Sequence, residues 1–265
     1  MRQYTYGPFQ SRRLGLSLGI NVLPNYKLCT FNCVYCEIGN TKTNNLVSPE
    51  YRVNLPPTPN FRKELISILI HVPHLNSITF GYNGEPTLNN HLLDYLKISS
   101  VVRDKLNWVK KKPILTLFTN SSTLYIDEIR ERVKQFEYIL AKLDIAVDDD
   151  LIRTHRPHKD CPNINTIINS LVKLREELPK THKLVIQSLL YNSYREDFTP
   201  NFNPVNIDRL AHAIKRIKPD IVQIYSIARI PAEYFVYAID DKRKSEIVNY
   251  IEEIVQDKSV QINFY

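Results

Sequence analysis

The apolar residues of this chain switch repeatedly between a period of two and a period near 3.6, and the switches mark alternating strands and helices. Leu16, Leu18, Ile20 and Val22 alternate with Ser17, Gly19 and Asn21, which predicts a first strand with one apolar face. Pro24 ends it, since proline cannot donate to a ladder. Residues 44–60 carry Ser48-Pro49, Pro56-Pro57 and Pro59 among asparagines, the composition of a flexible surface loop. Leu65, Ile68 and Leu69 then share one face of a helix over 61–71, followed by a short strand at 77–81. A helix over 91–107, a strand at 114–120, a helix over 127–137 and a strand at 138–146 continue the alternation. Residues 148–161 read as a long polar loop. Asn163 caps a helix bearing Ile164, Ile167, Ile168, Leu171, Val172 and Leu174. A strand at 183–191, a helix over 206–217, a strand at 220–229, a helix over 240–256 and a short run at 260–264 complete the pattern.

Strands that alternate with helices pair in parallel through right-handed crossovers, which makes the expected architecture an α/β domain spanning residues 1–265. In α/β barrels the site sits at the C-terminal ends of the strands. Alternation also assigns faces. In the strand at 138–146, Lys142 and Asp144 lie on one side and Ala141, Leu143 and Ile145 on the other. The outer side of a parallel barrel packs on helices, so the charged pair points inward. Two buried charges are tolerated when they pair with each other or bind a ligand, and both readings stand here. Gln223, Tyr225 and Arg229 likewise share a face of the strand at 220–229.

Composition adds less. With 43% hydrophobic and 24% charged residues the chain can bury a sizeable core, and its net charge of +7 permits binding to anions or RNA. The basic residues are spread along the chain, and no DNA partner is expected. No apolar run reaches the length of a membrane span and the first residues carry no apolar signal region. The expectation is a soluble protein of the reducing cytoplasm with no membrane partner.

The cysteines change the picture. Three of the four lie in Cys29-Thr-Phe-Asn-Cys33-Val-Tyr-Cys36, between Pro24 and Asn40. Clustered thiolates select soft metals, whether iron–sulfur clusters, zinc or copper(I). A cubane 4Fe–4S cluster normally takes four thiolates. Three would leave one iron free for another molecule. A structural zinc ion needs four ligands, and the remaining Cys161 is far along the chain. Disulfides are not needed in a chain of this length without a secretory signal.

The spacing Cys29-x3-Cys33-x2-Cys36, with an aromatic Tyr35 before the last cysteine, resembles the signature of the radical SAM superfamily. That resemblance implies a partial (β/α)6 TIM-like barrel. It also implies a 4Fe–4S cluster on Cys29, Cys33 and Cys36, with S-adenosylmethionine chelated at the open iron. In such enzymes one electron, delivered by a donor such as ferredoxin or flavodoxin, cleaves S-adenosylmethionine to a 5′-deoxyadenosyl radical. Tyr82-Asn83-Gly84-Glu85-Pro86 resembles the family's motif for the methionine ammonium group, with Tyr82-Asn83-Gly84 standing where the family has a doubled glycine. The resemblance therefore places Tyr35, Gly84, Glu85, Asn120, Ser122, Lys142 and Asp144 around the cofactor. Ser11-Arg12-Arg13-Leu14-Gly15 and Ser17-Leu18-Gly19 resemble one uncharacterised prokaryotic branch, related to the wyosine-forming tRNA enzymes. Arg12 and Arg13 read equally as contacts to an anionic ligand or as flanks of the barrel base.

The polar run at 148–161 holds Arg153, His155, Arg156, His158 and Lys159, and an anionic substrate held by Arg156, His158 and Arg229 is the expectation. Local neutralisation by Asp148, Asp149, Asp150 and Asp160 is the alternative. Two further classes stay open. The basic balance suits a tRNA- or RNA-modifying enzyme, although no cysteine precedes Cys29 as the second cluster of the wyosine-forming enzymes requires. A non-catalytic iron–sulfur or zinc module is the other.

Overall fold

The computed structural model describes residues 2–265. β1 (Thr5–Ser11) and β2 (Gly15–Ile20) form an antiparallel hairpin. From β2 the sheet continues in parallel through β3 (Ser77–Phe80), β4 (Ile114–Thr119), β5 (Tyr138–Lys142), β6 (Lys183–Ser193) and β7 (Ile221–Ser226), and ends with β9 (Gln261–Phe264). β8 (Val236–Ala238) pairs antiparallel with the end of β6. The crossovers are α1 (Pro59–Leu69), α2 (Leu92–Asp104), α3 (Asp127–Val133), α4 (Asp148–His155) with α5 (Ile164–Glu177), α6 (Pro204–Ile217) and α7 (Asp241–Val255). The sheet curls into a half-barrel with mixed α/β layering, the partial TIM-like barrel that the resemblance implies. No described helix is long and apolar enough to cross a membrane.

The strand periodicity separates two faces. Ile78, Leu115, Leu117, Ile139, Ala141, Leu184, Ile186, Val222 and Ile224 pack outward into one apolar cluster with Leu65, Leu96, Leu171, Leu210, Ile214 and Ile251 of the helices. The concave face is more polar. Near its base the hydroxyls of Ser17, Thr79, Ser77 and Thr116 form a chain of hydrogen bonds of 2.7–2.9 Å, so these buried groups satisfy one another. Asn163 caps α5 by accepting from Thr166 N at 2.9 Å, as its sequence position predicts.

Several features differ from the sequence reading, the unforeseen β8 among them. β1 was not visible in the pattern, because Gly7 and Pro8 interrupt its alternation and the register slips between Tyr6 and Phe9. The polar run at 148–161 contains α4. Its three aspartates sit in the first turn and Arg153 and His155 in the last, where they complement the helix dipole. Segment 44–60, expected as a flexible loop, is tied down at both ends. Leu46 bridges Cys29 and Val53 bridges Asn89, and Thr58 with Pro59 already starts α1.

Candidate functional site

Beyond β2 the chain runs over the C-terminal ends of the parallel strands, and residues 27–36 are fixed there by backbone bonds from two sides. Leu28 N donates to Asn83 O at 2.7 Å and Glu85 N to Leu28 O at 3.1 Å. From the other side, Asn32 N donates to His155 O at 2.8 Å, Val34 N to Thr154 O at 3.0 Å and His158 N to Thr30 O at 2.9 Å. The C-terminal end of α4 and the residues after it therefore brace the cysteine loop. Arg156 makes this turn possible by adopting a left-handed conformation, φ +43°, at the helix end.

Each thiol of the motif has one nitrogen partner. Asn120 Nδ2 lies 3.5 Å from Cys29 Sγ, His155 Nδ1 lies 3.3 Å from Cys33 Sγ, and Lys27 Nζ lies 3.1 Å from Cys36 Sγ. Burial pushes the Cys29 thiol up to about 11 and holds Cys33 well above the usual thiol range, where the neighbouring Cys36 and Cys29 thiolates add to the effect. A bound cation removes that penalty, since a metal centre makes its thiol ligands thiolates. Among the described residues no three Cys, His, Asp or Glu side chains converge closely enough to hold a single ion. A cubane takes each thiolate on a different iron, and each of the three sulfurs has a side-chain nitrogen beside it. Cys161, remote in sequence, does approach this loop. Its thiol faces Thr30 O at 3.5 Å, and burial pushes it up to about 12.

The Tyr82-Asn83-Gly84-Glu85 turn is built around the cysteine loop. Tyr82 and Asn83 both hold positive φ, 76° and 53°, the conformation that glycine adopts without strain. Asn83 stays there because its amide donates to Pro24 O at 2.8 Å while its carbonyl accepts from Leu28. A Cβ on Gly84 would sit 1.7 Å from Leu28 O. The close approach that Gly84 permits is thus to the loop's own backbone. Glu85 is fully buried. Its carboxylate accepts from Thr87 Oγ1 at 2.7 Å, Thr119 Oγ1 at 2.9 Å and Asn120 N at 2.6 Å. Desolvation raises its pKa above the usual range although these donors oppose the rise. Glu85 in this geometry clamps the end of β4 to the turn after β3. Asn120 Nδ2 and Ser122 Oγ both reach Thr30 Oγ1, at 2.8 and 2.7 Å, and tie the end of β4 to the cysteine loop.

Lys142 and Asp144 face inward and form an ion pair of 2.9 Å, with Asp144 buried. The Asp144 carboxylate also accepts from Tyr35 Oη and from Leu189 N, and His155 Nε2 stands 3.5 Å away. Lys142 reaches on to Tyr225 Oη at 3.0 Å. Tyr35, Lys142, Asp144, His155 and Tyr225 thus form one network beneath the cysteine loop. Each of the three residues expected to clamp an anion has an acidic neighbour. Arg156 pairs with Glu233, Arg229 pairs with Glu37 at 3.0 Å beyond the end of β7, and His158 stands 3.5 Å from Asp160.

Lys27 and His155 beside the thiols, and Thr30 at the centre of the brace, carried no assignment in the sequence. Lys27 lies two residues before Cys29, and a lysine so close to a thiolate cluster is a signal that could have been read. His155 had none, because its approach to Cys33 depends on how α4 ends.

No family profile matches the chain. Solved structures share the half-barrel fold at low sequence identity. Streptococcus suis SuiB bound to S-adenosylmethionine superposes with a TM-score of 0.60 at 14% identity, over 93% of this chain and 50% of SuiB. TYW1 with a lysine–pyruvate adduct bound gives 0.58 at 16% identity, over 89% of this chain and 73% of TYW1. Among individual proteins, the chain is similar to UPF0026 protein MJ1312 of Methanocaldococcus jannaschii, 27% identical over 97% of this chain and 74% of that protein. It is also 28% identical, over 93% of its length, to a protein of Brachyspira hyodysenteriae named GTPase Obg, of which it spans 33%. The chain thus spans a third of one such relative and half of SuiB.

Proposed function

We propose that this chain is a radical SAM enzyme that holds a 4Fe–4S cluster on Cys29, Cys33 and Cys36 and S-adenosylmethionine beside it. When bound, the cluster supplies the electron that cleaves S-adenosylmethionine reductively and so begins radical chemistry on a substrate. One observation carries the reading. Three of the four thiols each stand beside a side-chain nitrogen at the C-terminal ends of parallel strands, the end at which α/β barrels carry their sites.

The chain's own residues have definable tasks in this reading. Lys27, His155 and Asn120 direct N–H groups at the sulfurs, which stabilises thiolate and tunes a cluster's potential. Glu85 holds the strand-end turns in place, with its inner lone pairs engaged. Gly84 lets the cysteine loop seat against the turn after β3, and Asn120, Ser122, Tyr35, Lys142 and Asp144 are the residues that would lie nearest S-adenosylmethionine. An electron donor such as ferredoxin or flavodoxin completes the system.

Anaerobic reconstitution with iron and sulfide, followed by S-adenosylmethionine and dithionite, tests the proposal. The expected results are about four irons per chain and release of 5′-deoxyadenosine. Tight iron binding without affinity for S-adenosylmethionine would instead mark a non-catalytic iron–sulfur module.

A further inference from the structure

Five side chains on the concave face form a contiguous group, and only Lys142 among them has a task in the cofactor reading. Gln187 of β6 and Gln223 of β7 are register partners, and Gln187 Nε2 donates to Gln223 Oε1 at 2.7 Å. A glutamine pair joined by one such bond leaves one carbonyl and one amide edge unused. The unused carbonyl, Gln187 Oε1, has no partner although Gln187 is only 1% exposed. Lys142 is the register partner of Gln187 on β5 and bonds to Tyr225, which follows Gln223 by two residues on the same face. Arg13, in the β1–β2 turn, reaches across the open side of the half-barrel and lays its guanidinium 4.0 Å from the centre of the Tyr225 ring.

The charges of this group do not cancel. Lys142 is matched by Asp144. Arg13, by contrast, lies over the Tyr225 ring and has no acidic partner among the described residues, where its buried Nη1 also finds no acceptor. Arg156 and Arg229 are each engaged with a glutamate. A buried guanidinium nitrogen and a buried carbonyl, each without a hydrogen-bond partner among the described residues, are costly unless a ligand satisfies them.

We propose that Arg13, Lys142, Tyr225, Gln187 and Gln223 form an oxyanion subsite for the substrate. Arg13 takes a carboxylate or phosphate in its planar fork, with Lys142 alongside. Gln187 Oε1 accepts an N–H or O–H of the same molecule. The group lies inside the half-barrel, so the ligand is a small acid bearing a hydroxyl, amine or amide close to its acid group. Anion recognition thereby falls to Arg13, which the sequence left undecided, instead of Arg156, His158 and Arg229. Calling the ligand a substrate rests on the enzyme reading above; the binding itself does not.

Calorimetric titration of the reconstituted protein, with and without S-adenosylmethionine, tests the subsite with two probes, inorganic phosphate and succinate. The parent protein should bind at least one of them. Arg13→Gln should weaken that binding tenfold or more, Arg13→Lys should fall between because it keeps charge without the fork, and Gln187→Glu should weaken it by opposing the anion. Lys110→Gln, on an exposed turn, should match the parent. Melting curves of the Arg13 variants confirm that they fold. Absence of binding by the parent protein, or equal binding by Arg13→Gln, would overturn the subsite. So would a tenfold loss of S-adenosylmethionine affinity in Arg13→Gln with anion binding unchanged, since the cation would then serve the cofactor. Failure of cofactor cleavage with anion binding intact would sink the enzyme reading alone.

Discussion

At the scale of single residues, the four cysteines differ by what surrounds each sulfur. Cys29, Cys33 and Cys36 each face a nitrogen, whereas Cys161 faces only the Thr30 carbonyl and its thiol is pushed up to about 12. Replacing Cys161 by alanine should therefore leave iron and sulfide content at the parent level, while alanine at any of the other three should remove most of both. Glu85 gives a second test. Alanine there would leave Asn120 N and the Thr119 hydroxyl buried without their acceptor, while the Thr87 hydroxyl keeps Thr123. The expected cost is roughly 2–4 kcal/mol in denaturant unfolding, because each orphaned buried donor costs about 1–3 kcal/mol. Glu85→Gln keeps one acceptor oxygen and should cost clearly less. Similar stability of Glu85→Ala and the parent would contradict the clamp.

At the scale of elements, β1 is an addition to the parallel row and is fastened by one carboxylate. Glu64 of α1 accepts from the backbone N–H groups of Gln3, Tyr4 and Thr5 at 2.9, 3.1 and 2.7 Å, and from Thr5 Oγ1 at 2.6 Å. Burial pushes this carboxyl upward, but the four donors more than offset it and its pKa lies below the usual glutamate range. A lowered folded-state pKa means that the folded chain binds fewer protons than the unfolded one. Its contribution is present above the ordinary glutamate value, about pH 4, and is lost as pH falls through the lower folded value. Glu64→Gln should destabilise the chain by about 1 kcal/mol at pH 7, the figure being held low by the partial exposure of the site. The gap should close toward pH 3 in parallel denaturation curves. A gap independent of pH would mean that the side chain acts by packing and not by charge. The cysteine loop shows the same dependence on neighbours, since α4 and the turn after β3 supply its backbone partners.

At the scale of the whole molecule, the apolar cluster that holds the helices to the sheet lies on the convex side, away from the thiols. The loop that carries the thiols is bonded to the chain's own carbonyls and amides through Asn83, Thr154 and His155. Chelating iron from the reconstituted protein should therefore leave the far-ultraviolet circular dichroism nearly unchanged. The amides of Leu28, Asn32 and Val34 should stay protected from hydrogen exchange. Collapse of the spectrum on chelation would show instead that the cluster folds the barrel, as structural zinc folds small domains. The concave face holds two of the buried side-chain atoms that lack a hydrogen-bond partner among the described residues, Arg13 Nη1 and Gln187 Oε1.

Much of this was legible along the chain, for local reasons. Strand and helix periods fixed the order of the parallel units, because a side chain's face is set by its position in a regular element. The three cysteines, Asn163 as a cap, and the inward pointing of Lys142 and Asp144 are equally local properties. The tertiary structure alone decided which groups meet. Cys161 lies 125 positions after Cys36 in the numbering, yet both belong to the surroundings of one loop. His155 reaches Cys33, and Gly84 is required by the Leu28 backbone, not by a ligand. Arg156 and Arg229 are matched by Glu233 and Glu37, while Arg13, from a turn at the far edge of the sheet, stands unmatched beside Tyr225. Pairings of this kind depend on the curl that brings the two sides of the half-barrel together. Charge and hydrogen-bond matching act over a few ångströms of space, whatever the separation in sequence.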